Sequence, residues 1–230
     1  MIRRDPSTSP GSALAGEAPL PTLDENADWL AAILKARYRG TRIIAGIAGP
    51  PGSGKSTLAE ITVDRLNAAE PGIAAVLPMD GFHYDDSVLR DLGRFPRKGA
   101  IDTFDAGGFV HMVRRLKANA EDTIAVPVFD RSIEIARAGG RLIPLTTGII
   151  VVEGNYLLIQ RPPWTELRDL LDVTAFLATG VDTLRERLTK RWVDIGLTSE
   201  GIDRKLREVD LPNGLFILEE SAAADHRIVN

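Results

Sequence analysis

The chain has 230 residues, of which 44% are hydrophobic and 26% are charged, a composition typical of a soluble globular protein. A net charge of −4 gives no reason to expect a nucleic-acid or anionic-membrane partner, and no apolar run approaches the roughly 18 residues of a membrane span. The lack of cysteine excludes disulfides and thiolate metal sites and is consistent with a cytoplasmic location.

The N-terminal part of the chain divides into an arm and a first helix. Residues 1–21 are rich in Pro, Ser, Gly and Ala, which predicts a disordered arm, and residues 22–230 are predicted to form one domain. Asp24 or Asn26 could cap a helix that continues to Arg37. Its predicted apolar face consists of Trp29, Leu30, Ile33 and Leu34.

The segment Gly49–Ser56 has the Walker A form G-x-x-x-x-G-K-[ST]. An apolar strand, Ile43–Ala48, precedes it, and a predicted helix, Thr57–Asn67, follows it. This context predicts a phosphate-binding loop, because glycines let successive backbone N–H groups surround an anion at a helix N-terminus. Lys55 would reach the β- and γ-phosphates, and the Ser56 hydroxyl would bind Mg²⁺. The predicted nucleotide-binding residues are Gly49, Gly52, Ser53, Gly54, Lys55, Ser56 and Thr57.

Four further short apolar runs alternate with helical stretches. These runs are Ile73–Met79, Thr123–Phe129, Ile149–Val152 and Val173–Leu177. Together with the first strand they predict an α/β fold with a parallel sheet covered by helices on both faces. Ligands bind at the carboxyl ends of the strands in such sheets, so the residues after each run are candidates for function.

Two of these runs end at an acidic residue. Asp80 follows the second run, where it could accept a proton from an attacking hydroxyl, orient a Mg²⁺-bound water, or only cap a turn. Glu153 ends the fourth run, which is the Walker B arrangement and predicts a carboxylate that meets Mg²⁺ or its water shell.

Other polar residues are candidates for binding the acceptor or the transferring group. The acceptor candidates are His83, Tyr84, Arg97, Lys98 and Asp130. For Arg97, Lys98 and Asp130 a surface role is at least as good an interpretation. Leu184–Trp192 predicts an amphipathic helix with Leu184, Leu188 and Trp192 inward. Arg187 and Arg191 share another face and would stabilise the phosphoryl group from a lid spanning about residues 184–210, or form an ordinary solvated face.

In this order the motifs resemble those of the uridine kinase, phosphoribulokinase and bacterial pantothenate kinase superfamily of P-loop small-molecule kinases. The segments that carry the resemblance are 49–56, 79–82, 97–105 and 152–154, with the basic helix around Arg187 and Arg191. The resemblance implies a P-loop NTPase fold with five parallel strands and a helical lid, ATP as donor, Mg²⁺, and transfer of the γ-phosphoryl group to an alcohol. It assigns the general-base position to Asp80, the Walker B position to Glu153 and lid roles to the two arginines.

The acceptor is the part of the function that the motifs define least. Nucleoside kinases of this group carry a Tyr and a downstream His where this chain has Phe129 and Glu134, which argues against a nucleoside. Asp80–Phe82 and Arg97–Gly99 are most similar to the pantothenate kinase branch, but the chain is shorter than those enzymes. A branch of similar size, labelled fructose-transport-associated sugar kinases, shares the segments Asp80–His83 and Phe129–Arg131. We therefore expect a sugar acceptor, with a nucleoside or a pantothenate-like molecule as alternatives and a homodimer as an open option for assembly.

A nucleotide-dependent switch or assembly NTPase is the alternative from another functional class. The segment Asp105–Gly108 spells the D-x-x-G of GTPases, but no apolar strand leads into it and the chain contains no N-K-x-D sequence. A switch protein does not need a carboxylate to activate a hydroxyl, so Asp80 distinguishes the two classes.

Overall fold

The computed structural model describes residues 20–229. The arm predicted for residues 1–21 therefore falls almost wholly outside the described residues, and Leu20 and Pro21 are exposed and precede the first helix. The helices are α1 (Leu23–Arg37), α2 (Lys55–Ala69), α3 (Asp86–Asp91), α4 (Ala106–Ala118), α5 (Val181–Asp194), α6 (Ser199–Lys205) and α7 (Leu211–Glu220). The strands are β1 (Ile43–Ala48), β2 (Ala74–Pro78), β3 (Thr123–Asp130), β4 (Ile135–Pro144), β5 (Ile149–Gly154), β6 (Val173–Ala178) and β7 (His226–Val229).

The central sheet has five parallel strands in the order β2-β5-β1-β6-β7. The middle strands β1 and β5 are buried along their whole length, since both faces of the sheet are covered. In the register, Glu153 at the end of β5 lies opposite Ile47 of β1 on one side and Pro78 of β2 on the other. The strand that leads to the phosphate loop and the strand that leads to Asp80 therefore flank Glu153. This sheet confirms the predicted α/β P-loop architecture.

The prediction that the third apolar run, Thr123–Phe129, lies in this sheet is wrong. β3, which contains it, pairs antiparallel with β4 in a separate two-stranded hairpin, with Asp130 opposite Ile135 at the turn. Pro127 interrupts the run and has no N–H to donate, and the pairing is irregular at that point. The fifth strand of the central sheet is instead β7, a four-residue edge strand.

Two apolar layers cover the sheet. On one face, α1 and α2 pack through Leu30 and Leu58 against Ile47 and Val151. On the other face, α4 and the hairpin pack against the opposite side of the strands through residues such as Phe109. The sheet is thus covered on both sides, as the apolar runs predicted.

The helices after β6 have a small core of their own. It consists of Leu184, Leu188, Trp192, Ile202 and Leu206, of which the first three confirm the predicted inward face of α5. The helix itself is longer at both ends than the predicted 184–192 segment.

The first helix begins earlier than predicted. Its N-cap is Thr22, which forms a capping box with Glu25, so neither Asp24 nor Asn26 is the cap. Trp29, predicted on the apolar face, is 43% exposed, whereas Leu30 and Leu34 are buried. Within residues 20–229, no helix has both the length and the apolar character that crossing a membrane requires.

Candidate active site

The phosphate loop joins β1 to α2. Gly52 and Gly54 have φ of +80° and +96°, a left-handed conformation that other residues rarely adopt. Gly54 is also the N-cap of α2, and it offers no side chain to satisfy the first N–H groups of the helix. Those N–H groups, together with the positive end of the helix dipole, form a site for an anion.

Lys55 lies at the bottom of this loop and is 9% exposed. Burial lowers the pKa of its ammonium group, while the nearby carboxylates of Glu153 and Asp80 act in the opposite direction. The lysine is therefore held between the two strand-end acids predicted from the sequence. A cation in this position can meet both the phosphates and the two carboxylates.

Glu153 is the more buried of the two acids, at 3% exposure. Burial raises the pKa of its carboxyl group to about 7, and the charge of Lys55 and a hydrogen bond from Ser56 act against this rise. The Ser56 hydroxyl and the Glu153 carboxylate thus meet at the first turn of α2. Two hard oxygen donors next to a phosphate site match the ligand preference of Mg²⁺.

Asp80 lies in a short 3₁₀ turn, Met79–Phe82, directly after β2. Its carboxylate accepts a hydrogen bond of 2.8 Å from the guanidinium of Arg131, which is on the hairpin. Burial opposes ionisation of Asp80, but His83, Arg131 and Lys55 outweigh it, so the pKa of the carboxyl is lowered. Asp80 is ionised at neutral pH and can accept a proton.

The glycine after Asp80 allows the hairpin to approach the 3₁₀ turn. A Cβ on Gly81 would lie 2.6 Å from the carbonyl oxygen of Pro127, which is closer than real Cβ atoms come. We expect Gly81→Ala to lower the stability by about 1–3 kcal/mol and to displace Asp80, because the clash is with backbone and cannot be relieved by a rotamer change. Thermal unfolding measures the first effect, and phosphoryl transfer measures the second.

Gly107→Ala is the matched control for that substitution. The nearest atom to a Cβ at Gly107, in the first turn of α4, is 3.9 Å away. The control should leave the unfolding temperature unchanged or slightly raised. Equal effects of the two substitutions would contradict the close approach at Gly81.

A partly open pocket, here called the inner cavity, lies beside Asp80. Of the predicted site residues, Asp80, His83, Lys98 and Arg191 line it. The lining residues that the sequence did not predict include Arg131 and Glu134 from the hairpin turn, Asn155 directly after β5, and Lys205 from α6. The inner cavity thus lies between the carboxyl ends of the strands, the hairpin and the helices after β6.

Three predicted acceptor residues do not line this cavity. Arg97 is exposed in a 3₁₀ turn, and Tyr84 precedes α3. Asp130 accepts hydrogen bonds from the backbone and the hydroxyl of Ser132 and lies 3.4 Å from Arg137. Asp130 therefore shapes the hairpin turn, and a contact of these three residues with an acceptor stays a prediction.

The two predicted lid arginines lie at different parts of the site. Arg187 donates a hydrogen bond of 3.1 Å to the carbonyl oxygen of Ser53 in the phosphate loop. Leu188 packs so close to Gly52 that a Cβ there would be 3.0 Å from it. Arg191 lines the inner cavity and lies 5.0 Å from the centre of the Trp192 ring. One face of α5 therefore reaches the nucleotide side of the site and also the acceptor side.

Comparison with known proteins agrees with the family resemblance of the motifs. The model of the phosphoribulokinase/uridine kinase family matches residues 43–215. A Schizosaccharomyces pombe protein provisionally named a uridine kinase is 35% identical over 195 residues, covering 80% of this chain and 81% of that protein. The uncharacterized Escherichia coli protein YggC is 33% identical over 190 residues, covering 80% and 76%.

Solved structures add a likeness in three dimensions. A Silicibacter kinase provisionally assigned to a fructose transport system superposes with a TM-score of 0.79 at 36% identity, covering 90% of this chain and 98% of that one. The YFH7 protein of Saccharomyces cerevisiae superposes with a TM-score of 0.74 at 20% identity, covering 91% and 99%, and shares the fold.

Proposed function

The chain belongs to the phosphoribulokinase/uridine kinase family of ATP-dependent kinases, and from this membership we propose that it transfers the γ-phosphoryl group of ATP to a hydroxyl of a neutral sugar. The kinase activity follows from the family and from the phosphate loop. The choice of acceptor depends on the charges of the inner cavity.

The nucleotide side of the site binds the triphosphate. The backbone N–H groups of Gly52–Thr57 and the ammonium group of Lys55 hold the phosphate oxygens. Ser56 and Glu153 would hold Mg²⁺, which offsets the charge on the phosphate oxygens when it is bound. Arg187, already in contact with the loop, lies where it can bind the transferring group.

The acceptor side supplies the base. The carboxylate of Asp80 takes the proton of the acceptor hydroxyl while the hydroxyl oxygen attacks the γ-phosphorus and ADP leaves. Arg131 has to share the Asp80 carboxylate with that hydroxyl, because it contacts Asp80 at 2.8 Å. Arg191, on the lid formed by α5 and α6, closes the cavity against water and stabilises the charge that moves toward the leaving ADP.

The observation that supports a neutral acceptor is that the cations of the inner cavity are balanced by acids. Lys98 pairs with Asp86 at 2.6 Å, and Arg131 pairs with Asp80 at 2.8 Å. The remaining cations are Arg191 and Lys205. The negative charges of Glu134 and Asp210 act to raise the pKa of both, and so partly offset their charge. An anionic acceptor such as pantothenate would need a cation that is not already offset by a carboxylate.

The aromatic lining gives less support to a nucleoside. The ring of Phe129 lies 4.9 Å from His83, and cations from Lys98 and Arg131 lie 5.4 and 5.8 Å from its centre. These neighbours already occupy the surroundings of the ring on which a base would stack. The likeness to the Silicibacter kinase is a further argument for a sugar.

Release of ADP by the purified protein with Mg²⁺ and ATP tests the proposal. The acceptor panel comprises neutral hexoses and pentoses, nucleosides, pantothenate and ribulose 5-phosphate. We expect at least one neutral sugar to raise the rate by more than about tenfold over the acceptor-free rate, because only a bound acceptor competes with water for the phosphoryl group. Stimulation by pantothenate, by a nucleoside or by a sugar phosphate alone would overturn the sugar assignment.

A further inference from the structure

One carboxylate of the inner cavity has an oxygen with no hydrogen-bond partner among residues 20–229. Oε1 of Glu134 is buried and makes no hydrogen bond there. The residue stands at the end of the hairpin turn with φ of +55°, a left-handed backbone that is uncommon outside glycine. A buried carboxylate oxygen is costly to leave without a donor, so its place in the cavity calls for an explanation.

The lysine beside Glu134 does not explain it. Nζ of Lys98 donates to the backbone carbonyl of Glu134 at 2.7 Å and to the carboxylate of Asp86 at 2.6 Å. Nζ of Lys205 donates to the carbonyl of Lys98 at 3.0 Å. The lysines therefore fix the backbone of this wall of the cavity, and neither donates a hydrogen bond to Oε1 of Glu134.

A second oxygen of the same kind lies in the same cavity. Asn155 is 8% exposed, and its Oδ1 is buried without a hydrogen bond within the described part of the chain. Asn155 follows Glu153 by two residues, so it leaves the same strand end as the Walker B acid. Glu134, Asn155 and Asp80 thus present three hydrogen-bond acceptors from three different elements to one space.

We propose that Glu134 and Asn155 are specificity-determining residues that accept hydrogen bonds from hydroxyl groups of the acceptor other than the one that is phosphorylated. This inference rests on the proposed function. The ligand that satisfies it is a neutral polyol with at least two hydroxyls besides the reacting one, since each hydroxyl donates one hydrogen. A carboxylate or a phosphate has no hydrogen to donate to Glu134 and would be repelled by it.

Glu134→Gln tests the role of the carboxylate with little change in shape. With the sugar that best stimulates the wild-type protein, we expect the acceptor KM to rise about 10- to 100-fold, with kcat changed much less, because a charged hydrogen bond made in both ground and transition state is weakened. The KM for ATP should stay within about twofold of the wild-type value, because Glu134 lies on the acceptor side of the site. Circular dichroism checks that the variant folds.

Glu186→Gln is the matched control, because Glu186 is an exposed acid on α5 and its loss changes the net charge by the same amount. Its acceptor KM should equal that of the wild-type protein. A rise equal to that of Glu134→Gln would show a general charge effect and overturn the inference.

Deoxy analogues of the stimulating sugar give a readout that a merely structural role would not move. In the wild-type protein, removal of at least two hydroxyls other than the reacting one should each raise KM about tenfold or more. In Glu134→Gln, one of those removals should no longer matter. If Glu134→Gln does not fold, the wild-type series alone decides, and a series in which no second hydroxyl matters overturns the inference.

The outcomes separate the two proposals. A protein that a neutral sugar stimulates, but whose acceptor KM is unchanged in Glu134→Gln, keeps the sugar kinase assignment and overturns the role of Glu134. A protein that no neutral polyol stimulates overturns the sugar assignment and the inference together.

Discussion

Lys55→Ala is expected to lower phosphoryl transfer about 10²- to 10³-fold and to weaken ATP binding. The ammonium group lies at the phosphate loop, and the carboxylates of Glu153 and Asp80 both act to raise its pKa. Removing it takes away the cation that offsets the charge on the β- and γ-phosphates as the transition state forms. It also leaves the carboxylates of Glu153 and Asp80 close to a bound triphosphate without the positive charge that offsets their repulsion. The nucleotide affinity should therefore fall as well.

Two measurements are needed for this substitution, the rate of acceptor-stimulated ADP release and the affinity for ATP by calorimetry. Lys35→Ala, on the exposed side of α1, is the control and should match the wild-type protein in both. Since Lys55 is buried, the fold of the variant must be checked by circular dichroism before the rates are compared. Normal turnover of a folded Lys55→Ala protein would refute the whole interpretation of the phosphate loop.

The nucleotide side of the site could be predicted from the sequence because its determinants are local. A strand, a six-residue loop and a helix follow each other directly in the chain, and the glycines at 52 and 54 adopt the backbone that the motif requires. Asp80 and Glu153 could be predicted because an acid directly after an apolar strand lies at the ligand-binding edge of a parallel sheet. The structure brings both of them to Lys55.

The hairpin could not be predicted by the same reasoning. The run Thr123–Phe129 has the apolar composition of a buried parallel strand, but pairing depends on a partner that composition does not identify. That partner, β4, contains two arginines and two glycines and is largely exposed, so it gives no apolar signal. β7 could not be predicted either, because four residues at a sheet edge are too few for a periodic pattern.

The proposed acceptor-binding residues depend on the position of the hairpin, which the sequence did not predict. Arg131 and Glu134 come from the hairpin turn, and only the folded hairpin brings them to Asp80 and to α6. Asp130, next in sequence to Arg131, points away into the turn and pairs with Ser132 and Arg137. A choice between neighbouring polar residues of a turn requires the direction of each side chain, which a sequence without regular periodicity does not provide.

Asp80→Asn is the second substitution with a large expected effect. The amide has the size of the carboxyl group but cannot take a proton from the acceptor hydroxyl. We expect acceptor-stimulated transfer to fall about 10²- to 10⁴-fold, the usual contribution of a general base. ATP affinity should stay near the wild-type value, because Lys55, Ser56 and the loop backbone are unchanged. Loss of the ion pair with Arg131 adds little to this effect, since the arginine is half exposed and water replaces the carboxylate.

This separation of rate from affinity also distinguishes a kinase from a nucleotide-dependent switch. In a switch protein, slow hydrolysis uses water as the nucleophile, so the substitution would leave the measured activity unchanged. Asp91→Asn, at an exposed acid on α3, provides the matched control for the loss of one carboxylate charge. If transfer to the acceptor survives in Asp80→Asn, another group takes the proton, and the base would have to be sought among the remaining residues of the inner cavity. His83 would then be the first to test, because burial lowers its pKa and keeps its ring neutral at physiological pH.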